Sequence, residues 1–239
     1  MAKTNNDEKY FNFPIQLLKG FMIDEKKVLS NICDYAVYTK SLDLILGDTE
    51  LENMRDSARY FEISLTSIDR SLKNGVLLHE NIPKNSPKVG LSKSMFFEFY
   101  TNDKSDFDKI CLLGFLAIKS ILGTKPYTKL DNKFWLSRID GNPKSINDYS
   151  ELSNEIRTYA NEYQTRKIKI ALRDNWGLAT YSRYTRGFYV SYILTLEQLI
   201  YEAEKRRKST IEKQNKIKEK EALQRVLERI KNENHNTTI

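Results

Sequence analysis

The sequence predicts a mainly α protein with small β-hairpins, an α+β chain that ends in a long helix. Three observations carry that expectation. Apolar residues recur at three- and four-residue spacing over most of the chain, as in Val28, Leu29, Ile32, Cys33, Tyr35 and Ala36, which is the period of a helix with one buried face. Runs of β-branched and aromatic residues that suit strands are short, chiefly residues 76–78, 95–100 and 177–192. Nine Gly and five Pro in 239 residues are too few for a many-turned all-β chain.

Residues 1–10 are polar at the start and are expected to form a disordered N-terminus. Pro14 then favours an extended stretch. Asp24 caps a first helix that should end near Leu46, with Gly47 as a left-handed cap. Asp48 opens a second helix with Leu51, Met54, Ala58 and Phe61 on one face. A break at Glu62-Ile63-Ser64 leads to a third helix carrying Leu65, Ile68 and Leu72, which Asn74-Gly75 should stop. Val76-Leu77-Leu78 reads as a short strand, followed by a loop and a second strand at Met95 to Tyr100.

A further helix begins at Asp103 or Ser105, runs through Leu112, Leu113, Phe115, Leu116 and Ile118, and closes at Gly123. Residues 124–150 are turn-rich, with an apolar patch at Phe134-Trp135-Leu136. Helices are expected at 150–161 and 165–174, and a hairpin at 177–192 with its break at Arg186-Gly187. Thr195 and Gln198 form a capping box for the terminal helix, which should reach about Lys231. Its apolar positions thin out between Glu204 and Glu221 and return at Leu223, Val226, Leu227 and Ile230. A sustained coiled coil needs apolar a and d positions over several heptads, so the preferred reading is a solvated charged helix with a short docking or pairing segment at its end.

The net charge is +7 and it is unevenly spread. Residues 1–150 carry 21 Lys/Arg against 20 Asp/Glu, whereas residues 151–239 carry 18 against 12. A localised basic excess is the footprint of a polyanion binder. No apolar run approaches the roughly 20 residues that cross a bilayer; the longest, 110–122, contains Lys119. With no secretory leader and only Cys33 and Cys111, a soluble, cytoplasmic protein without a disulfide framework is expected. His79 and His235 are isolated and no Gly-rich phosphate loop occurs. No enzyme, cofactor, metal or small-molecule ligand is therefore expected.

The most informative string is Ala58 to Gly75. Ala58 is small where two helices would cross, Phe61 fills the apolar site three residues on, and Ile63 is the apolar turn residue. Ser64 stands as an early cap, and Ile68 and Leu72 form the buried face of the second helix. Two short helices that meet steeply need a small crossing residue and a tight turn. Position by position the string resembles the helix-turn-helix superfamily. Its outward face would present Thr66, Ser67, Arg70 and Lys73 to a major groove, with Arg70 placed for a bidentate guanine contact. The departure is Glu62, where the family usually has Gly; a positive φ there would strain a non-glycine backbone.

The order of helices followed by strands recurs in residues 103–194, after 11–102. In the second copy the helix at 165–174 carries Arg166, Lys167, Lys169 and Arg173, and the hairpin carries Arg183 and Arg186 among Tyr181, Tyr184 and Tyr189. The arginines suit phosphate or minor-groove contact. The tyrosines read either as half-buried core, the preferred reading, or as stacking platforms for bases. Two winged-helix-like units, 11–102 and 103–194, with a basic C-terminal helix and tail at 195–239, resemble the tandem winged-helix replication initiators of plasmids and phages. That resemblance implies binding to double-stranded DNA at repeated origin sequences and a homodimer formed through the first unit. A transcriptional regulator, or a protein–protein adaptor or structural protein of a mobile element, is the alternative expectation.

Overall fold

The computed structural model describes residues 8–44, 47–182 and 187–236, except for the side chains of 227 and 229–236. It is mainly helical with two small antiparallel sheets. The first half begins with β1 (Tyr10–Pro14) and a 3-10 turn at Ile15–Leu18. Then come α1 (Glu25–Asp43), α2 (Glu50–Phe61) and α3 (Ile68–Asn81), followed by β2 (Lys88–Ser92) and α4 (Lys93–Thr101). β1 and β2 pair antiparallel, with Asn12 opposite Gly90. Phe11 and Phe13 on the inner face of β1 are fully buried, as the period-two alternation of a half-buried strand requires.

Several boundaries differ from expectation. Helix α1 stops at Asp43 rather than near Leu46, and Gly47 is no left-handed cap; its N–H instead donates to Asn53 Oδ1 at 2.8 Å. Thr49, not Asp48, caps α2, in a capping box with Glu52. Ser67, not Ser64, caps α3, so Leu65 lies in the connection.

The largest correction concerns Asn74-Gly75, which does not end the third helix. The residues expected as a strand, Val76-Leu77-Leu78, continue α3 to Asn81. Gly75 is where α3 crosses α1: a Cβ there would stand 2.5 Å from Tyr38 Cβ and 3.0 Å from the Asp34 carbonyl oxygen. Beside it, Asn74 Nδ2 donates to Asp34 Oδ2 at 2.8 Å and Asn31 Oδ1 at 3.0 Å. The Asn-Gly pair is thus consumed in close helix packing and not in a turn, because a glycine lets two helix backbones approach. The other expected strand, Met95 to Tyr100, lies in α4, whose buried Phe96 and Phe99 follow a helical period. With both strands helical, the first half has no hairpin after α3.

The second half opens with α5 (Asp106–Leu122), capped by Ser105 and closed by Gly123 as expected. β3 (Thr128–Leu130) and α6 (Asn132–Ile139) follow inside the stretch expected to be turns. A 3-10 turn and the short α7 (Asn154–Arg157) replace the helix expected at 150–161. Then come α8 (Glu162–Trp176), β4 (Ala179–Tyr181) and β5 (Phe188–Ser191). The sheet order is β3-β5-β4, all antiparallel. The hairpin is present where expected, although residues 183–186 lie outside the described part. The expected order of three helices followed by a hairpin is therefore not seen in the first half, and in the second half both α6 and α7 stand between α5 and α8.

The long helix α9 (Leu196–Asn236) completes the chain and runs past Lys231. Its expected capping box is present: Thr195 N–H donates to Gln198 Oε1 at 3.0 Å, and Gln198 N–H to Thr195 Oγ1 at 3.3 Å. One hydrophobic core extends from Phe11 to Val190. Helix α5 joins its halves, since it contacts β2 and the first 3-10 turn on one side and α6 and α8 on the other. Among the described residues no helix is long and apolar enough to cross a membrane.

Candidate nucleic-acid interface

Helix α8 is fixed at both ends and along one face. Asn161 Oδ1 accepts the Gln164 N–H at 2.9 Å, and Gly177 closes the helix at φ 68°, the left-handed conformation a glycine adopts without strain. Thr165, Ile168 and Leu172 are buried. Ile168 and Leu172 meet α5 at Gly114, where an added Cβ would lie 3.3 Å from both Ile168 Cγ2 and Trp135 Cζ2. Trp135 Nε1 donates to the Gly114 carbonyl at 3.2 Å, which locks α6 against the same spot.

With that face buried, helical geometry turns Tyr163, Arg166, Ile170 and Arg173 outward. All four are exposed, Tyr163 by 72%. Arg166, Lys169 and Arg173 line one side of a groove of about 640 Å³ whose other side is Thr180, Ser182 and Phe188 of the hairpin. Asn132, Tyr149 and Thr165 also line it, and among the described residues Glu162 is its one acidic lining residue. Cations along one wall and hydroxyls on the other suit a phosphate backbone, which takes up charge-assisted and neutral hydrogen bonds together.

The four basic residues expected on this helix are not equivalent. Arg166 is exposed. Arg173 Nε donates to Asp174 Oδ1 at 2.8 Å, a hydrogen bond that holds its guanidinium protonation still higher than usual. Lys169 is half-buried, with Nζ 4.1 Å from the Phe188 ring centroid and 3.2 Å from Asn132 Oδ1; burial pulls its pKa down. Lys167 faces away, its Nζ 4.5 Å from the Phe107 ring centroid on the α5 side. Arg183 and Arg186 lie outside the described residues.

Tyr181 and Tyr189 are cross-strand partners on the opposite face of the sheet, where Tyr181 Oη donates to Glu204 Oε1 at 2.8 Å. Both are half-buried, which is the core reading of the tyrosines. Tyr184 lies outside the described residues.

In the first half, Thr66, Ser67 and Arg70 line a separate groove of about 760 Å³ between α1, α3 and α4, together with Asp24, Lys27 and Asp34. The Ser67 hydroxyl is occupied as the helix cap, accepting the Arg70 N–H at 3.4 Å. Lys73 is exposed but does not line that groove; it shares the outer surface of α3 with Asp69, Leu77 and Glu80. The first set is thus interleaved with carboxylates, and the second is predominantly cationic.

Sequence reasoning missed Asn132, Tyr149, Thr180 and Ser182. Thr180 and Ser182 were accessible in principle, because a strand places residues two apart on one face. Asn132 and Tyr149 follow from chain paths that no local pattern encodes. Among the described residues no group of three His, Cys, Asp or Glu side chains could hold a metal ion. Compared with known proteins, the chain matches no family model, and no curated protein or solved structure matches it.

Proposed function

We propose that this is a cytoplasmic, non-catalytic protein that binds double-stranded DNA through α8 and the β4–β5 hairpin. The observation that carries the reading is the order α5-β3-α6-α7-α8-β4-β5, in which α7 is a single short turn of helix, with sheet order β3-β5-β4. Apart from α7, that order resembles a winged helix, in which the last helix before the hairpin would lie in a major groove with the hairpin flanking it. Here that helix is the one whose outer face carries Arg166, Lys169 and Arg173.

Arg166 and Arg173 are placed to reach base edges or phosphates, while Lys169, recessed against Phe188, contributes charge at the groove floor. The first half, lacking a hairpin after α3, contributes base reading through Arg70 at most, with Thr66, Ser67 and Lys73 nearby. Within this reading the biological role is initiation of replication for a plasmid, phage or other mobile element. Titrating the chain into a labelled random duplex at rising salt tests the binding: affinity should fall steeply through counterion release. Absence of binding at low salt would refute the proposal. Mapping occupied sites across a genome separates the roles, since clustering at one origin supports initiation and scattered promoters support regulation.

One observation favours a second reading for the first half alone. The exposed face of α3 mixes Asp69, Arg70, Lys73 and Glu80 around Leu77, which is 57% exposed. A balanced surface with an apolar centre suits a protein partner, including a second copy of the chain, better than a polyanion. An Asp69→Lys, Glu80→Lys variant distinguishes the two: tighter DNA binding supports a DNA role, and loss of self-association supports a protein contact.

A further inference from the structure

Among the described residues, the buried part of α9 lies at its start. Leu199 and Ala203 are buried, and the Tyr127 and Tyr181 hydroxyls donate to Glu202 at 3.5 Å and Glu204 at 2.8 Å. From Lys205 to Val226 every residue is exposed. The direction of the helix follows from those contacts. β4 runs toward the hairpin loop and Tyr181 is its last residue, whereas α9 begins just beyond the far end of β5. Helix α9 therefore returns along the sheet, draws level with the last residue of β4 at Glu204, and continues past it.

The projecting segment is strongly basic. Residues 205–220 include eight Lys/Arg and two Glu. At roughly 100° per residue, Arg206, Lys213, Lys216 and Lys220 fall within an arc of about 80° that extends for about 21 Å. Glu212 and Glu219 lie outside that arc. Among the described residues none of the four is ion-paired, whereas Arg207 and Arg225 on the opposite side pair with Glu204 at 3.2 Å and Glu221 at 3.8 Å.

We infer that this stripe is a second DNA contact, running along the phosphate backbone beyond the segment held by α8 and the hairpin. The inference rests on the duplex-binding reading of that groove. Two other uses of an exposed helix fit less well. An interfacial membrane helix needs a broad apolar face, yet Ile211 and Ile217 point about 120° apart. A coiled coil needs apolar a and d positions, and 205–220 supplies none in series. The stripe's length corresponds to about six base pairs at 3.4 Å each.

The test compares two variants of the full chain with the unsubstituted chain, using salt titration on a random duplex and hydroxyl-radical footprinting. One variant removes the stripe (Arg206→Gln, Lys213→Gln, Lys216→Gln, Lys220→Gln); the other removes the opposite face (Arg207→Gln, Lys218→Gln, Arg225→Gln). The stripe variant should flatten the log–log salt slope by about 0.9 per substitution and shorten the footprint on one side by about six base pairs. The opposite-face variant should change neither. Replacing Lys213, Lys216 and Lys220 with Arg should retain the slope, which separates lost charge from a melted helix. If the unsubstituted chain binds but the stripe variant keeps its slope and footprint, or the opposite-face variant loses as much per substitution, the inference is overturned and the α8 reading survives. If the unsubstituted chain binds no duplex at low salt, both are overturned.

Discussion

Glu62 holds the Lys93 ammonium at 2.6 Å while its own backbone sits at φ 51°, ψ 48°, in the left-handed region. Among the described residues it is the one non-glycine with positive φ. A second lysine, Lys9, lies 2.7 Å from the other carboxylate oxygen. The turn between α2 and α3 is thereby tied to both strands of the β1–β2 ribbon, through the residue before β1 and the residue after β2. Where a turn of this kind usually has glycine, this chain tolerates a strained glutamate whose side chain is clamped twice.

The two lysines, first by hydrogen bonding and then by charge, lower the Glu62 pKa from 4.5 to about 2. A carboxylate depressed in the folded state stabilises fully above its unfolded pKa, and that contribution disappears as pH falls through the folded value. Glu62→Gln should therefore melt below the unsubstituted chain at pH 7, with the gap closing between pH 4.5 and 2. Glu62→Gly should melt above Glu62→Gln at pH 7, because both lack the ion pairs and only glycine relieves the positive φ. Thermal melts across pH check both orders.

Gly75→Ala should destabilise the protein although alanine favours helix. The added Cβ meets Tyr38 Cβ at 2.5 Å and the Asp34 carbonyl at 3.0 Å, positions set by backbone rather than by a movable side-chain end. Overpacking of this kind costs about 1–3 kcal/mol, against a helix-propensity gain of about 1 kcal/mol. Urea denaturation should show a lowered midpoint. A raised midpoint would mean that α3 and α1 do not cross there.

Leu172→Ala should cost about 2–5 kcal/mol, the usual range for a fully buried leucine. Leu172 is completely buried and its Cδ1 would lie 3.4 Å from a Cβ added at Gly114, so the cavity would open between α8 and α5. Denaturation midpoints measure the loss. Because the same contact aims the outer face of α8, weakened duplex binding should accompany it.

Lys169→Met should leave stability nearly unchanged, since the methionine keeps the contact with Phe188, but flatten the salt slope of duplex binding by about 0.9. Lys167→Met should leave that slope unchanged, because Lys167 faces Phe107 rather than the groove. Paired titrations of the two variants check the asymmetry.

Features encoded within a few residues were legible in the sequence. Asp24, Gly123 and the Thr195–Gln198 pair mark helix ends through local hydrogen bonds. The hairpin and the basic helix before it could be read from alternation and charge. What depended on distant partners was not legible. β2 is a strand because β1, more than seventy residues earlier, lies beside it. Asn74-Gly75 reads as a turn until Tyr38 and Asp34 are opposite it. The grouping of Asn132, Tyr149 and Thr180 with Arg166 depends on how α6, α8 and the hairpin pack, which no window of sequence contains.

We propose that α8 and its hairpin grip duplex DNA. The most direct test of that grip is a salt titration on a random duplex of the Arg166→Ala, Arg173→Ala variant beside Arg70→Ala and the unsubstituted chain. The unsubstituted chain should show steep salt dependence, the α8 variant a slope lower by about 1.8, and Arg70→Ala little change in slope. An α8 variant that binds with undiminished affinity and slope, while Arg70→Ala loses both, would contradict the proposal.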